Sequence, residues 1–95
     1  MTIMRERVVE NRLQRYVKDR GGWAVKLVPS VAGLPDRLIL LPGGRVAFVE
    51  TKAPDGKVKT HQHLIHEMLR SMGFRVDVLS TFDEVDGWVD EMLPK

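Results

Sequence analysis

Cysteine is absent from the 95 residues, which excludes a disulfide scaffold and any thiolate zinc site and makes an intracellular protein the default. No apolar run is long enough to span a bilayer and no signal-peptide pattern follows Met1, so the cytoplasm is the expected compartment. Aromatic residues are few, one Tyr, two Trp and three Phe, and they do not interleave with basic residues as they do on an RNA-binding sheet. Trp23 and Trp88 read instead as core or interface anchors. Internal repeats, low-complexity tracts and linkers are missing as well. The length leaves room for one small domain, residues 1–95, with a modest core.

Charge is plentiful but unevenly spread. The net value is only +2, yet residues 1–60 hold 12 Lys/Arg against 6 Asp/Glu, and residues 61–95 hold 3 against 7. A polyanion would therefore meet the first part of the chain, with the acidic C-terminal segment facing elsewhere.

Periodicity gives the order αβββαβα. Val9, Leu13, Tyr16, Val17 and Arg20 share one face of a helix over about Ile3 to Arg20, stopped by Gly21-Gly22. Trp23 to Val28 is rich in strand formers, and Pro29 to Gly33 reads as a loop. Two strands flank Pro42-Gly43-Gly44, and the turn-rich segment Ala53 to Lys59 follows. Thr60 is the expected N-cap of a helix that ends at Gly73 and buries Leu64, Ile65, Met68, Leu69 and Met72. Phe74 to Leu79 is a fourth strand, parallel to the third because a helix connects them. Thr81-Phe82-Asp83-Glu84 is a capping box that opens a last helix with Val85, Trp88, Val89 and Met92 on one face.

The chemistry concentrates in the hairpin Asp36 to Lys52. Strand side chains alternate faces, so Glu50 and Lys52 project from the same side as Val46 and Phe48. Carboxylates crowded into a partly buried site repel one another, and a divalent cation relieves that repulsion. Hard oxygen donors suit Mg²⁺ or Mn²⁺. Asp36 and Glu50 would ligate the ion, the main-chain carbonyl of Thr51 could add a neutral oxygen, and Lys52 would orient or deprotonate an attacking water. The register decides whether this site can exist. A two-residue turn at Gly43-Gly44 would set Asp36 against Thr51 and send Glu50 to the other face, so a three-residue loop with Leu41 opposite Arg45, or a bulge, is expected.

Pro35-Asp36 followed by Glu50-Thr51-Lys52 resembles the PD-(D/E)xK nuclease signature. Gly33-Leu34-Pro35-Asp36 before the hairpin and a Gln-bearing helix after it resemble the VRR-NUC (virus-type replication-repair nuclease) branch, from Glu10 to about Val78. The resemblance implies a restriction-endonuclease-like α/β fold with a mixed four-stranded sheet flanked by helices, of the stand-alone phage or bacterial type, in a bacterial cell or phage-infected host. It implies a Mg²⁺- or Mn²⁺-dependent deoxyribonuclease leaving 5′-phosphate and 3′-hydroxyl ends, structure-specific on branched DNA such as four-way (Holliday) junctions, in a replication, recombination or repair setting. It also implies that Glu10, at the border of the first helix's buried stripe, completes the metal site, and that Gln62 takes part in catalysis through a phosphate or a metal-bound water. A non-catalytic DNA-binding module with the same fold is the alternative.

Arg37, Arg45, Lys57 and Lys59 lie in or beside the hairpin and its following loop, where they could grip phosphates, and His61 could line the site. Of the three histidines only His63 and His66 are spaced to share an ion, and no third ligand accompanies them. So small a domain would engage duplex DNA as a homodimer with two sites, through its last or its first amphipathic helix, unless the monomer's own sheet covers those stripes.

Overall fold

The computed structural model describes residues 5–28 and 31–95. Val9, Leu13 and Val17 recur every fourth residue and are fully buried along helix α1 (Glu6–Asp19), the spacing of one helical face. The expected start at Ile3 lies outside the described residues. Strand β1 (Trp23–Lys26) follows and stops two residues short of Val28. Strands β2 (Arg37–Leu41) and β3 (Arg45–Thr51), helix α2 (Thr60–Ser71), strand β4 (Arg75–Leu79) and helix α3 (Phe82–Met92) complete the predicted order.

The sheet runs β1-β2-β3-β4, antiparallel between the first three strands and parallel between β3 and β4. Leu41 pairs with Arg45 and Arg37 with Val49, so the hairpin has the three-residue loop Pro42-Gly43-Gly44. Both glycines have positive φ, +84° and +76°, a conformation that L side chains rarely adopt.

One face of the sheet is sealed by α1 and α3. Ala24, Ile39, Leu41, Ala47, Val49 and Leu79 point there and meet Val9, Leu13 and Val17 of α1 and Val85, Trp88, Val89 and Met92 of α3. Arg12 locks the two helices together, donating two hydrogen bonds of 2.9 Å to Asp86 while its guanidinium lies over the Tyr16 and Phe82 rings. The predicted capping box opens α3: Glu84 N–H donates to Thr81 Oγ1, and Thr81 N–H to Glu84 Oε1, each at 3.1 Å. The stripes of the first and last helices are thus covered within the monomer.

The opposite face is only partly covered, because α2 alone lies on it and packs over β4. His66 and Leu69 are the buried residues of α2, with Ile65 half-buried. Leu64, Met68 and Met72, expected in the buried stripe, are 67%, 52% and 59% exposed. One helix on a sheet can bury only a narrow face, and a five-residue stripe is wider than that contact. Thr60 is the first helical residue rather than the cap; Lys59 precedes the helix, and its N–H donates to Gln62 Oε1 at 2.9 Å. Among the described residues no helix is long and apolar enough to cross a membrane.

Candidate active site

Asp36 stands immediately before β2, Glu50 and Thr51 end β3, and Lys52 follows. Since Arg37 pairs with Val49, continuing the ladder by one step sets Asp36 against Glu50. Asp36 Oδ2 accepts hydrogen bonds from Thr51 N–H at 3.0 Å and from Thr51 Oγ1 at 2.9 Å. Those bonds hold its carboxylate across the strand ends.

Glu50 is only 2% exposed. Its Oε2 lies 3.3 Å from Lys52 Nζ and accepts from Gln62 Nε2 at 3.3 Å, while its buried Oε1 has no hydrogen-bond partner among the described residues. Gln62 therefore bridges the first turn of α2 to the end of β3. Burial, reinforced by the charge of Asp36, raises the Glu50 carboxyl to about 7 against an opposing pull from Lys52.

The third acid comes from the start of α1. Glu6, Asp36 and Glu50 each offer a carboxylate oxygen within 4.8 Å of the others. Although Glu6 is an exposed residue, partial desolvation of its carboxyl beside the cluster and the Asp36 charge raise it as well. Three clustered carboxylates against one lysine, with a buried oxygen left unpaired, form the donor set that a hard divalent cation satisfies. Carboxylate donors of this kind suit a hard divalent cation rather than a soft metal.

Beside Asp36 and Gln62 opens a groove lined by Lys26, Leu27, Gly33, Leu34 and Pro35. Gly33 has φ +93°, and a Cβ there would lie 2.9 Å from the His61 carbonyl oxygen and 2.9 Å from Ile65 Cγ1. Only glycine lets the loop that carries Asp36 press so closely on the helix that carries Gln62.

The family model of the VRR-NUC domain matches residues 6–83. The chain belongs to the VRR-NUC family. A protein of Acyrthosiphon pisum secondary endosymbiont phage 1 named "Putative nuclease p44" is 42% identical over 84 residues, covering 87% of this chain and 90% of that protein. A solved structure described as a VRR_NUC domain superposes with a TM-score of 0.82 at 33% identity, covering 90% of this chain and 94% of the other. The αβββαβα order and mixed sheet are those of this family's fold, and its nuclease character extends to the chain that carries the acid cluster.

In this VRR-NUC domain the structure brings together Asp36, Glu50, Thr51, Lys52 and Gln62, but from the first helix it brings Glu6 and not Glu10. Glu10 lies one turn further on, accepting from Lys26 Nζ at 3.0 and 3.2 Å, with Arg37 Nε at 3.6 Å. The reason is topological. The tight turn after α1 makes the helix antiparallel to β1 and hence parallel to β2, so its N-terminus lies beside Asp36. A four-residue advance moves a side chain about 6 Å along the axis, which carries Glu10 past the acids to the Lys26–Arg37 pair of β1 and β2. A signal was present in the sequence: Glu6 stands three residues before Val9 and four before Glu10, on the same helical face.

Among the basic residues, Lys57, Lys59 and His61 are exposed on the segment that leads from β3 into α2. Arg37 is not available to a phosphate. It alternates with Asp36 to the helix-covered face, is buried, and donates to the Ala24 carbonyl at 2.9 Å. Arg45 sits at the far end of β3, roughly 20 Å of strand from Thr51, and donates to the Pro42 and Met92 carbonyls. His63 is exposed while His66 is buried against the sheet, so the two diverge and neither joins the acid cluster.

Proposed function

We propose that this domain is a Mg²⁺- or Mn²⁺-dependent deoxyribonuclease that hydrolyses phosphodiester bonds to leave 5′-phosphate and 3′-hydroxyl ends. The observation that carries the reading is the unpaired, buried Oε1 of Glu50 inside the Glu6–Asp36–Glu50 cluster, with Lys52 and Gln62 both engaged on Oε2. Glu6, Asp36, Glu50 and the Thr51 main-chain carbonyl would hold the ion. When bound, a divalent ion withdraws charge from a phosphate and lowers the pKa of water. Lys52 orients the attacking water and stabilises developing negative charge. Gln62, fixed at both ends of its amide, holds Glu50 in place and presents the N-terminus of α2 toward a phosphate. Lys57, Lys59 and His61 supply the surface that grips flanking phosphates.

Branched DNA, four-way junctions in particular, is the proposed substrate, cut by a homodimer that offers two sites. The partner surface in this reading is the outer side of α2, with Leu64, Met68 and, just past the helix end, Met72, together with Phe74, Val46 and Trp23 on the uncovered part of the sheet, all exposed. Residues 23, 46 and 74 point to the same side of the sheet as Glu50, so an interface there would join two active-site faces.

Cleavage of matched linear and four-way DNA with Mg²⁺, with Mn²⁺ and with chelator tests the reading. Asp36→Asn is the cleanest inactive control. It keeps an acceptor for Thr51 N–H, whereas Asp36→Ala leaves that buried group unpaired at a cost of about 1–3 kcal/mol. Metal-dependent cutting that Asp36→Asn abolishes is the expected result. DNA binding without cleavage under any metal would establish the alternative, a binding module with this fold.

A further inference from the structure

Glu6 and Glu10, one turn apart on α1, make different contacts. Among the described residues the first turn of this helix has no side-chain cap at Arg5, and Glu6, Arg7 and Val8 are exposed. Yet Glu6 stands within 4.8 Å of the Asp36 and Glu50 oxygens. One turn later, the nearly buried Glu10 carboxylate accepts from Lys26 Nζ and faces Arg37 Nε. Arg37 is in turn fixed to the β1 backbone at Ala24 and reaches Gln14 of α1 at 3.5 Å. Among the described residues its buried Nε has no hydrogen-bond partner, and Glu10 at 3.6 Å is the counter-charge of this buried cation. Lys26 and Arg37 face each other across β1 and β2, and Arg37 is the neighbour of Asp36. A carboxylate at 10 therefore ties the helix to the strand pair at the level where Asp36 emerges.

We propose that Glu10 is a positioning residue: it sets the rotation and height of α1 that carry Glu6 to the metal-binding acids, and does not itself ligate. The inference rests on the metal-site reading of Glu6, Asp36 and Glu50. A neutral amide at 10 keeps the shape but leaves the Arg37 cation without its counter-charge, so the first turn loses its anchor while the core stripe of Val9, Leu13 and Val17 keeps the helix folded.

Calorimetric titration with Mn²⁺ of the full chain tests it in a double-mutant cycle. Glu10→Gln is expected to weaken Mn²⁺ binding about 10-fold, the scale of losing support behind a ligand. In the Glu6→Gln background the same change should cost less than about 2-fold, because the group it positions is gone. Losses that multiply in full would mean that Glu10 acts on the ion independently of Glu6 and would overturn the proposal. Glu10→Gln that lowers only the melting temperature, with Mn²⁺ affinity unchanged, would overturn it too. Glu50→Gln separates the two readings. Wild-type Mn²⁺ binding that ignores Glu50→Gln removes the metal site and this inference together; Glu50-dependent binding that ignores Glu10→Gln removes this inference alone.

Discussion

Lys52 Nζ lies 3.3 Å from Glu50 Oε2, on the oxygen that Gln62 also holds, and so leaves Oε1 clear. The lysine thus reaches the acid cluster without engaging its unpaired oxygen. Lys52→Ala should retain Mn²⁺ and DNA binding while cleavage falls by about 10²-fold or more, the usual scale of a removed proton-transfer or electrostatic group. Calorimetry and single-turnover cleavage check the two halves separately. Activity equal to wild type would make Lys52 an ordinary ion-pair partner.

The raised Glu50 carboxyl makes stability depend on pH with a definite sign. Its ordinary value is 4.5, and burial with Asp36 nearby lifts it to about 7 in the fold. The folded protein therefore holds this proton more tightly than the unfolded chain does. Its contribution is fully present below about pH 4.5 and is lost as pH rises through 7. Glu50→Gln, a neutral isostere, should accordingly gain about 2–3 kcal/mol relative to metal-free wild type at pH 8 compared with pH 4. Urea unfolding at the two values measures this. At the proposed metal site, Mn²⁺ binding would displace the same proton, so wild-type affinity should fall as pH drops below 7. Equal affinity at pH 5.5 and pH 8 would contradict the assignment.

Much of this site is local in sequence, which is why it was legible. Alternation along β3 places Glu50 and Lys52 together, and Gly43-Gly44 with Pro42 supplies the three-residue loop that brings Asp36 opposite Glu50. Gln62 is close enough along the chain for the loop and first turn of α2 to deliver it. Glu6 was not legible in the same way, because choosing between acids one turn apart requires the axial position of α1 on the sheet, a tertiary quantity. The exposed face of α2 escaped for a related reason: the apolar pattern Leu64, Ile65, Met68, Leu69, Met72 shows an amphipathic helix but not how much of its width a single layer can cover. Arg37 could have been placed from its sequence. It shares the parity of Ile39 and Leu41, which marks the buried face, and opposes that of the open-face residues Leu38 and Leu40.

Gly33 links the two halves of the site, since a Cβ there would collide with the His61 carbonyl and Ile65 at 2.9 Å while the backbone sits at φ +93°. Both faults act together in Gly33→Ala, so the loop that carries Asp36 must retreat from the start of α2. A loss of about 1–3 kcal/mol is expected, together with weaker Mn²⁺ binding as Asp36 and the Gln62–Glu50 bridge separate. Denaturant unfolding and calorimetry on the same sample read both. Gly43→Ala provides the comparison. Its φ is also positive, but a Cβ at that position would meet nothing within 4 Å, so the change should cost stability while leaving metal affinity alone.

The assembly prediction follows from where apolar surface remains. Helix α3 spends its stripe on the monomer core, with Val85, Trp88 and Val89 almost fully buried, whereas Leu64 and Met68 of α2 and Met72 just after it stay largely exposed. In the proposed dimer, a second copy would cover these side chains, and a two-fold axis would place the same patch on both partners. Met68 lies between Leu64 and Met72 at helical spacing, so Met68→Glu sets like charges against each other across any such axis. Light scattering at micromolar concentration should show a dimer for wild type and a monomer for Met68→Glu. Because position 68 points away from the acid cluster, Mn²⁺ affinity should be unchanged, while cutting of four-way junctions at paired strands falls well below wild type. Wild-type protein that is strictly monomeric, with undiminished junction cleavage, would show that one copy suffices and that the exposed face of α2 serves another purpose.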